Sequence, residues 1–252
     1  MGKHYALSDL HGCYDFYIAI KNYIGDDDTV FFLGDAADRG SQGWDCITGI
    51  RNNENFYYLC GNHEDMLRKA MIEYYDRDSE RLDSSLDLLM YNGGMSTFNE
   101  WIEEGAKHEW ISYLESLPLT YVYTNLQGQK IILSHAGFTP ITKLNLFPRR
   151  KEILWGREHF KDDWVGGENT YIVHGHTPTP NLARRVCTED YNEEQDFEFG
   201  ALHYCDGHKI CIDNGTVWTG NCTLFDLDTF ESIVFKRGYG GIVKHEIKES
   251  ML

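Results

Sequence analysis

Five short segments of this sequence carry side chains that could bind cations or move protons: Asp9-x-His11, Gly34-Asp35-x-x-Asp38-Arg39-Gly40, Gly61-Asn62-His63-Glu64, His135-Ala136-Gly137 and Gly175-His176-Thr177-Pro178. Carboxylate oxygens with imidazoles are what a pair of first-row divalent cations prefers, and one aspartate can bridge two of them. Each segment also has a plain structural alternative. Asp9 and His11 could be a turn acid beside a surface histidine, Asn62 could cap the following helix, and His176 could be a satisfied histidine in a turn. The segment around Asp35 is more specific: glycines bound a tight loop, and Arg39 offers a planar fork suited to phosphate. All five together, in this order, point to a dinuclear site.

Elements that would position these residues are legible in the hydrophobic pattern. Apolar runs at residues 5–8, 30–33 and 56–59 read as strands, each ending at one of the first three segments. Phe16, Ile20, Tyr23 and Ile24 then recur at helical spacing, so the opening is strand, loop, helix, repeated. Strands at 121–124 and 130–134, turning at Gln127-Gly128, deliver His135, and a strand at 171–174 delivers His176. Further strands at 209–213, 223–226 and 232–235 give the β-rich second half expected of a second sheet. Polar residues at the C-terminal ends of successive strands are where α/β folds place ligands. Residues 64–117, with Trp101 and Trp110 among charges and a break at Gly93-Gly94, read as a helical insertion or cap that adds no further chemical loop. Without repeats or low-complexity linkers, residues 1–252 are expected to form a single catalytic domain.

The 252 residues are 42% hydrophobic and carry a net charge of −17, which disfavours stable, sequence-independent binding to nucleic acid. Much of that acid, at 26–28 and 189–198, reads as solvated loop. No apolar run is long enough for a membrane helix, and the first residues lack a signal-peptide core, so a cytoplasmic protein is expected. The seven scattered cysteines, Cys13, Cys46, Cys60, Cys187, Cys205, Cys211 and Cys222, read as reduced thiols. His203, Cys205, His208 and Cys211 have zinc-ligand residue types, but their spacing fits a hairpin turning at Asp206-Gly207 equally well. Arg149-Arg150-Lys151 and Arg184-Arg185 could bind extra phosphates or be exposed basic patches.

From Asp9 to Pro178 the motifs resemble the calcineurin-like metallophosphoesterase superfamily, in its phosphoprotein phosphatase branch. That branch includes phage-lambda-type serine/threonine phosphatases and symmetrical diadenosine tetraphosphatases. The resemblance implies an α/β (α+β) fold, a four-layer αββα sandwich of two mixed sheets. It implies Asp9, His11 and Asp35 as ligands of one metal, and Asp35, Asn62, His135 and His176 as ligands of the second. Pro178 stands where many superfamily members carry a second histidine, leaving the first metal with more water ligands. His174 matches no ligand position and is expected in a supporting or core role. Manganese is the metal the resemblance favours, with iron, zinc, cobalt or nickel as alternatives.

Two cations would lower the pKa of a bridging water and clamp phosphoryl oxygens for in-line attack. His63, beside Asn62 but not a matched ligand, is the expected general acid, with Asp38 accepting its other N–H. Arg39, Asn62 and Arg157, the last in Leu154-Trp155-Gly156-Arg157, are expected to hold the phosphate, although Arg157 could instead pair with Glu158 or Asp162. The expected activity is phosphoprotein phosphatase, with bis(5'-nucleosyl)-tetraphosphatase as the alternative, so the partner is a phosphorylated protein or a nucleotide. A metal-stabilised scaffold without activity would have lost a ligand or His63, and none is missing.

Overall fold

The computed structural model describes residues 2–76, 85–138, 148–186 and 199–247. The acidic run at 189–198, Cys187 and most of the polar stretch at 76–83 lie outside the described residues. Strands β1 (His4–Leu7), β2 (Thr29–Phe32) and β3 (Phe56–Tyr58) alternate with helices α1 (Tyr14–Tyr23) and α2 (Gly43–Arg51). Both strand pairs, β1 with β2 and β2 with β3, are parallel. With β9 (Asn221–Asp226), β10 (Ser232–Gly238) and β11 (Gly241–Ile247) they form one sheet in the order β11-β10-β9-β1-β2-β3. The second sheet runs β4 (Thr120–Thr124), β5 (Lys130–Ser134), β6 (Thr170–His174), β8 (Lys209–Cys211), β7 (Leu202–Tyr204). Its central pairs are parallel and its outer pairs antiparallel, so both sheets are mixed.

Period-two alternation sorts the strand residues between layers. Tyr5, Leu7, Val30 and Phe32 join the core beneath the helices, whereas Ala6, Phe31 and Leu33 join Ile131, Leu133, Val173 and Ile210 between the sheets. A smaller cluster of Phe160, Leu182, Tyr204 and Cys211 covers the far face of the second sheet under α8 (Thr179–Val186). The layers are therefore helix, sheet, sheet, helix, the αββα sandwich.

The described parts of 64–117 are helical: α3 (Asn62–Tyr75), α4 (Ser85–Tyr91), α5 (Met95–Glu103) and α6 (Glu109–Ser116). Leu89, Phe98, Trp101, Trp110 and Leu114 belong to the same core cluster as β1 and β2, so these helices are built into the first sheet's outer layer. They also hold the backbone of the Asp38–Arg39 loop. Gly93 O accepts the N–H of Arg39 at 3.0 Å, and Thr97 Oγ1 accepts that of Asp38 at 3.1 Å.

Candidate metal centre and active site

All five sequence segments meet at the C-terminal ends of β1, β2, β3, β5 and β6. Asp9, His11, Asp35, Asp38, Arg39 and His176 all take positive φ, between 45° and 71°. Side chains rarely adopt that conformation without surrounding structure that enforces it, and such strain gathers at functional sites. Close approach of the β2 and β3 loops requires glycine: a Cβ on Gly34 (φ 97°) would stand 2.4 Å from Gly61 N, and one on Gly61 would stand 2.2 Å from Asp35 Oδ1. Buried Glu64 ties these loops together. Its carboxylate accepts N–H bonds from Asp35 (2.8 Å), Ala36 (2.9 Å) and Gly61 (2.8 Å), and the Tyr58 hydroxyl at 2.7 Å. Gly61, not Asn62, caps α3, which frees the Asn62 side chain for the site.

Asp35 is the hub. Its Oδ2 lies 3.6 Å from His11 Nε2, 3.8 Å from His63 Nε2 and 3.4 Å from His135 Nε2. Two ligand-like groups share it, His11-Asp35-His63 and Asp35-His135-His176. Asn62 Oδ1 joins the second, 2.8 Å from His135 Nε2 and 2.9 Å from His176 Nδ1. Asp9 stands at the edge of the first, its Oδ1 3.9 Å from His11 Nε2 while Oδ2 accepts the backbone N–H of His176 at 3.0 Å.

The donor set fits divalent cations. His11 Nδ1 and His135 Nδ1 each lie 2.9 Å from a backbone carbonyl, Ala37 O and Leu33 O, which places a proton on each Nδ1 and turns each Nε2 into the site. Burial, then the charge of neighbouring histidines, holds His11 and His176 well below the ordinary histidine pKa, so both are neutral, as ligands must be. At His135 burial also disfavours charge, yet Asp35, then Asp9 and Glu64, raise its pKa to about 9. Its Nε2 faces two acceptor oxygens, so this position calls for a proton or a cation.

A cation held at His135 Nε2 would have to displace that proton. The metal-free protein holds it below about pH 9 and releases it above, so metal affinity is expected to rise with pH up to about 9. Asp9, pushed up to about 6 by burial, adds a second proton to displace under acid conditions and steepens the fall there. Isothermal titration with manganese at several pH values checks this; a flat affinity across that range would contradict it.

His63 differs from the other three histidines. Its Nδ1 meets a carboxylate, Asp38 Oδ2, at 2.7 Å, with both residues fully buried. Burial opposes its charge, but Asp35 and Asp38 together lift its pKa above the ordinary value. Arg39 opposes that charge: its Nη2 lies 3.0 Å from His63 Nε2 and its Nη1 lies 2.6 Å from His11 Nε2. His63 Nε2 can carry an acid proton only when the guanidinium turns away from it, for instance onto a bound anion.

Arg157 follows α7 (Arg150–Trp155), and its Nε donates to Thr177 Oγ1 at 3.0 Å, the residue after His176. Glu158 accepts its backbone N–H at 3.0 Å. Burial, then the charges of Arg185 and Arg39, lowers its pKa.

His174 is buried outside both ligand groups, with Nε2 2.9 Å from the Tyr204 hydroxyl. The possible zinc ligands are dispersed: Cys205 Sγ donates to Asp162 O, Cys211 Sγ donates to Thr177 O, and His208 Nδ1 lies 3.0 Å from Thr170 O. Among the described residues these four form no metal-holding group, and Cys205 to His208 form the hairpin turn.

Sequence reading missed Asp213, which follows β8 just as the five segments follow their strands. It is fully buried, and burial, then Asp9, raises its pKa well above the carboxylate range. Its Oδ1 accepts the N–H of Gly215 at 2.7 Å. The signal was present as a polar residue ending an apolar run.

Two mixed sheets with a shared-aspartate cluster at their strand ends define a class. The family model of calcineurin-like phosphoesterases matches residues 3–211, and the chain belongs to that family. It is 28% identical over 179 residues to the serine/threonine-protein phosphatase PP1-delta of Caenorhabditis elegans, covering 63% of this chain and 50% of that protein. It is 27% identical over 139 residues to a symmetrical bis(5'-nucleosyl)-tetraphosphatase of Salmonella paratyphi A, covering 54% and 43%. The matches thus span about half the length of these curated relatives. A crystal structure of a candidate diadenosine tetraphosphatase superposes with a TM-score of 0.57 over 97% of this chain and 93% of that one; at 18% identity it supports the fold alone. Among the described residues no helix is long and apolar enough to cross a membrane.

Proposed function

We propose that this chain is a metal-dependent phosphomonoester hydrolase of the serine/threonine phosphoprotein phosphatase type. In this reading manganese is the working metal and phosphorylated protein the substrate. The setting is the cytoplasm, where the six described cysteines, all free, stay reduced. The observation that carries the reading is Asp35 at the centre of three imidazole nitrogens, one of them from the His63–Asp38 pair, with Arg39 against His11 and His63.

Asp9, His11 and Asp35 would hold one cation, and Asp35, Asn62, His135 and His176 the other. When bound, the two cations supply the Lewis acidity that activates water near neutral pH and neutralises phosphoryl charge. Arg39 and Arg157 bind phosphoryl oxygens in bidentate fashion, with the Asn62 amide beside them. Turning Arg39 onto the phosphate frees His63 Nε2 to take up a proton from water, which it then donates to the leaving oxygen. Asp38 orients the ring through Nδ1 and stabilises the imidazolium before transfer.

A second reading, dinucleoside polyphosphate hydrolysis, draws support from the cationic influence of Arg185 on Arg157, since a third guanidinium suits further phosphates. Initial rates on a phosphoserine peptide and on diadenosine tetraphosphate, with manganese-loaded protein, separate the two. The first reading predicts a higher kcat/KM for the peptide, and a large preference for the dinucleotide would replace it with the second.

A further inference from the structure

One large aromatic side chain at the rim of the site has no part in the scheme above. Trp218 lies in the single-turn helix α9 (Thr216–Thr219), between Gly215 and Gly220, both in left-handed conformation with φ of 68° and 66°. The residues leading into this turn, 213–216, are buried and the turn is hydrogen-bonded to them. Asp213 Oδ1 accepts the N–H of Gly215, Thr219 Oγ1 donates to Asn214 O at 2.9 Å, and the Asn214 amide donates to Thr179 Oγ1 at 2.9 Å and to Gly200 O at 2.8 Å. A Cβ on Gly215 would meet the indole at 3.3 Å and Pro178 at 3.4 Å, so the turn brings Trp218 and the His176 loop together.

Trp218 is 64% exposed. Its ring centroid lies 5.0 Å from Arg39 Cζ and 6.5 Å from the His11 ring. A fixed, open aromatic surface therefore stands next to the guanidinium that receives the phosphoryl group. Indoles bind other planar rings by offset or edge contact, and a ring already in contact with a guanidinium keeps its remaining surface for such a partner.

Resting on the phosphomonoesterase reading, we propose that Trp218 is a specificity-determining residue that packs against the leaving group of an aryl phosphate, such as a phosphotyrosine side chain. Reach favours this class of ring. An aryl group is joined to phosphorus through a single oxygen, so a phosphate held by Arg39 keeps its ring beside Trp218. A nucleobase stands a ribose further out and is carried past the indole, while a phosphoserine side chain presents no ring at all.

The test compares kcat/KM of manganese-loaded wild type, Trp218→Ala and Trp218→Phe on phosphotyrosine and phosphoserine peptides with identical flanks, and on diadenosine tetraphosphate. Trp218→Ala is expected to lower the phosphotyrosine-to-phosphoserine ratio of kcat/KM about tenfold, chiefly through KM, while Trp218→Phe keeps it within about threefold. Equal losses on both peptides would mean that Trp218 only steadies Arg39, and would overturn the inference. A loss confined to the dinucleotide would assign the indole to a nucleobase and overturn it as well. If wild type hydrolyses none of the three, the phosphoesterase reading falls and this inference with it; hydrolysis with an unchanged ratio removes the inference alone.

Discussion

Asp35→Asn is expected to lower hydrolysis by about 1,000-fold or more, because one substitution weakens both halves of the centre. The side chain keeps its shape, but the negative charge facing Nε2 of His11, His63 and His135 disappears. Metal-ion stabilisation of a transition state is worth several kcal/mol, and each 1.4 kcal/mol is about tenfold in rate. Burial pushes the Asp35 carboxyl up in pKa, yet His135 and His63 hold it well below the ordinary value. It is therefore ionised throughout the working pH range. The same variant should lose the raised pKa of His135, whose largest favourable influence is Asp35. Steady-state rates at saturating manganese, with NMR titration of the histidine ring in metal-free protein, check both effects. A variant with wild-type rates would show that Asp35 bridges nothing.

The second large effect is expected at His63. His63→Asn should cut kcat on phosphoserine by about 100-fold to 10,000-fold with little change in KM, since general acid catalysis acts in the transition state. The loss should be smaller on an aryl phosphate with a good leaving group, which needs less protonation. The pH dependence follows from the sign of the shift. His63 must be protonated to act, its pKa in the folded protein lies above the ordinary value of about 6.5, and activity is lost as pH rises through that higher value. An alkaline limb of kcat should thus be present in wild type and vanish in His63→Asn. A variant that retains the limb would place the titrating acid elsewhere.

These residues were legible in the sequence for one reason: each leaves an apolar strand whose end is fixed by the hydrophobic pattern. Strand 130–134 was located to the residue, and the strands delivering Asp9, Asp35, Asn62 and His176 to within one or two. Strand β7 was visible only as one arm of a hairpin at Asp206-Gly207, and β11 went unread. The first spans three residues, Leu202–Tyr204, and gains its identity only by pairing with β8, while the second, Gly241–Ile247, pairs with β10 alone at the edge of its sheet. What depends on tertiary adjacency was invisible in the same way. Glu64 could be seen in Gly-Asn-His-Glu, but its hold on Asp35 and Ala36 exists only because β2 and β3 lie side by side. Trp101, set among charged residues, is fully buried, on the side of α5 that also carries Thr97 and Phe98. Helix α5, with Gly93 just before it, thus supports the Asp38 and Arg39 loop as well as forming part of the core.

The most direct test of the account is a count of metal ions. Metal-stripped protein, dialysed against manganese at neutral pH and analysed by elemental spectrometry, is expected to retain two manganese ions per chain and to regain phosphatase activity with them, whereas Asp35→Asn should retain at most one. A wild-type chain that holds no manganese, or only one ion with full activity, would contradict a dinuclear centre built on Asp35.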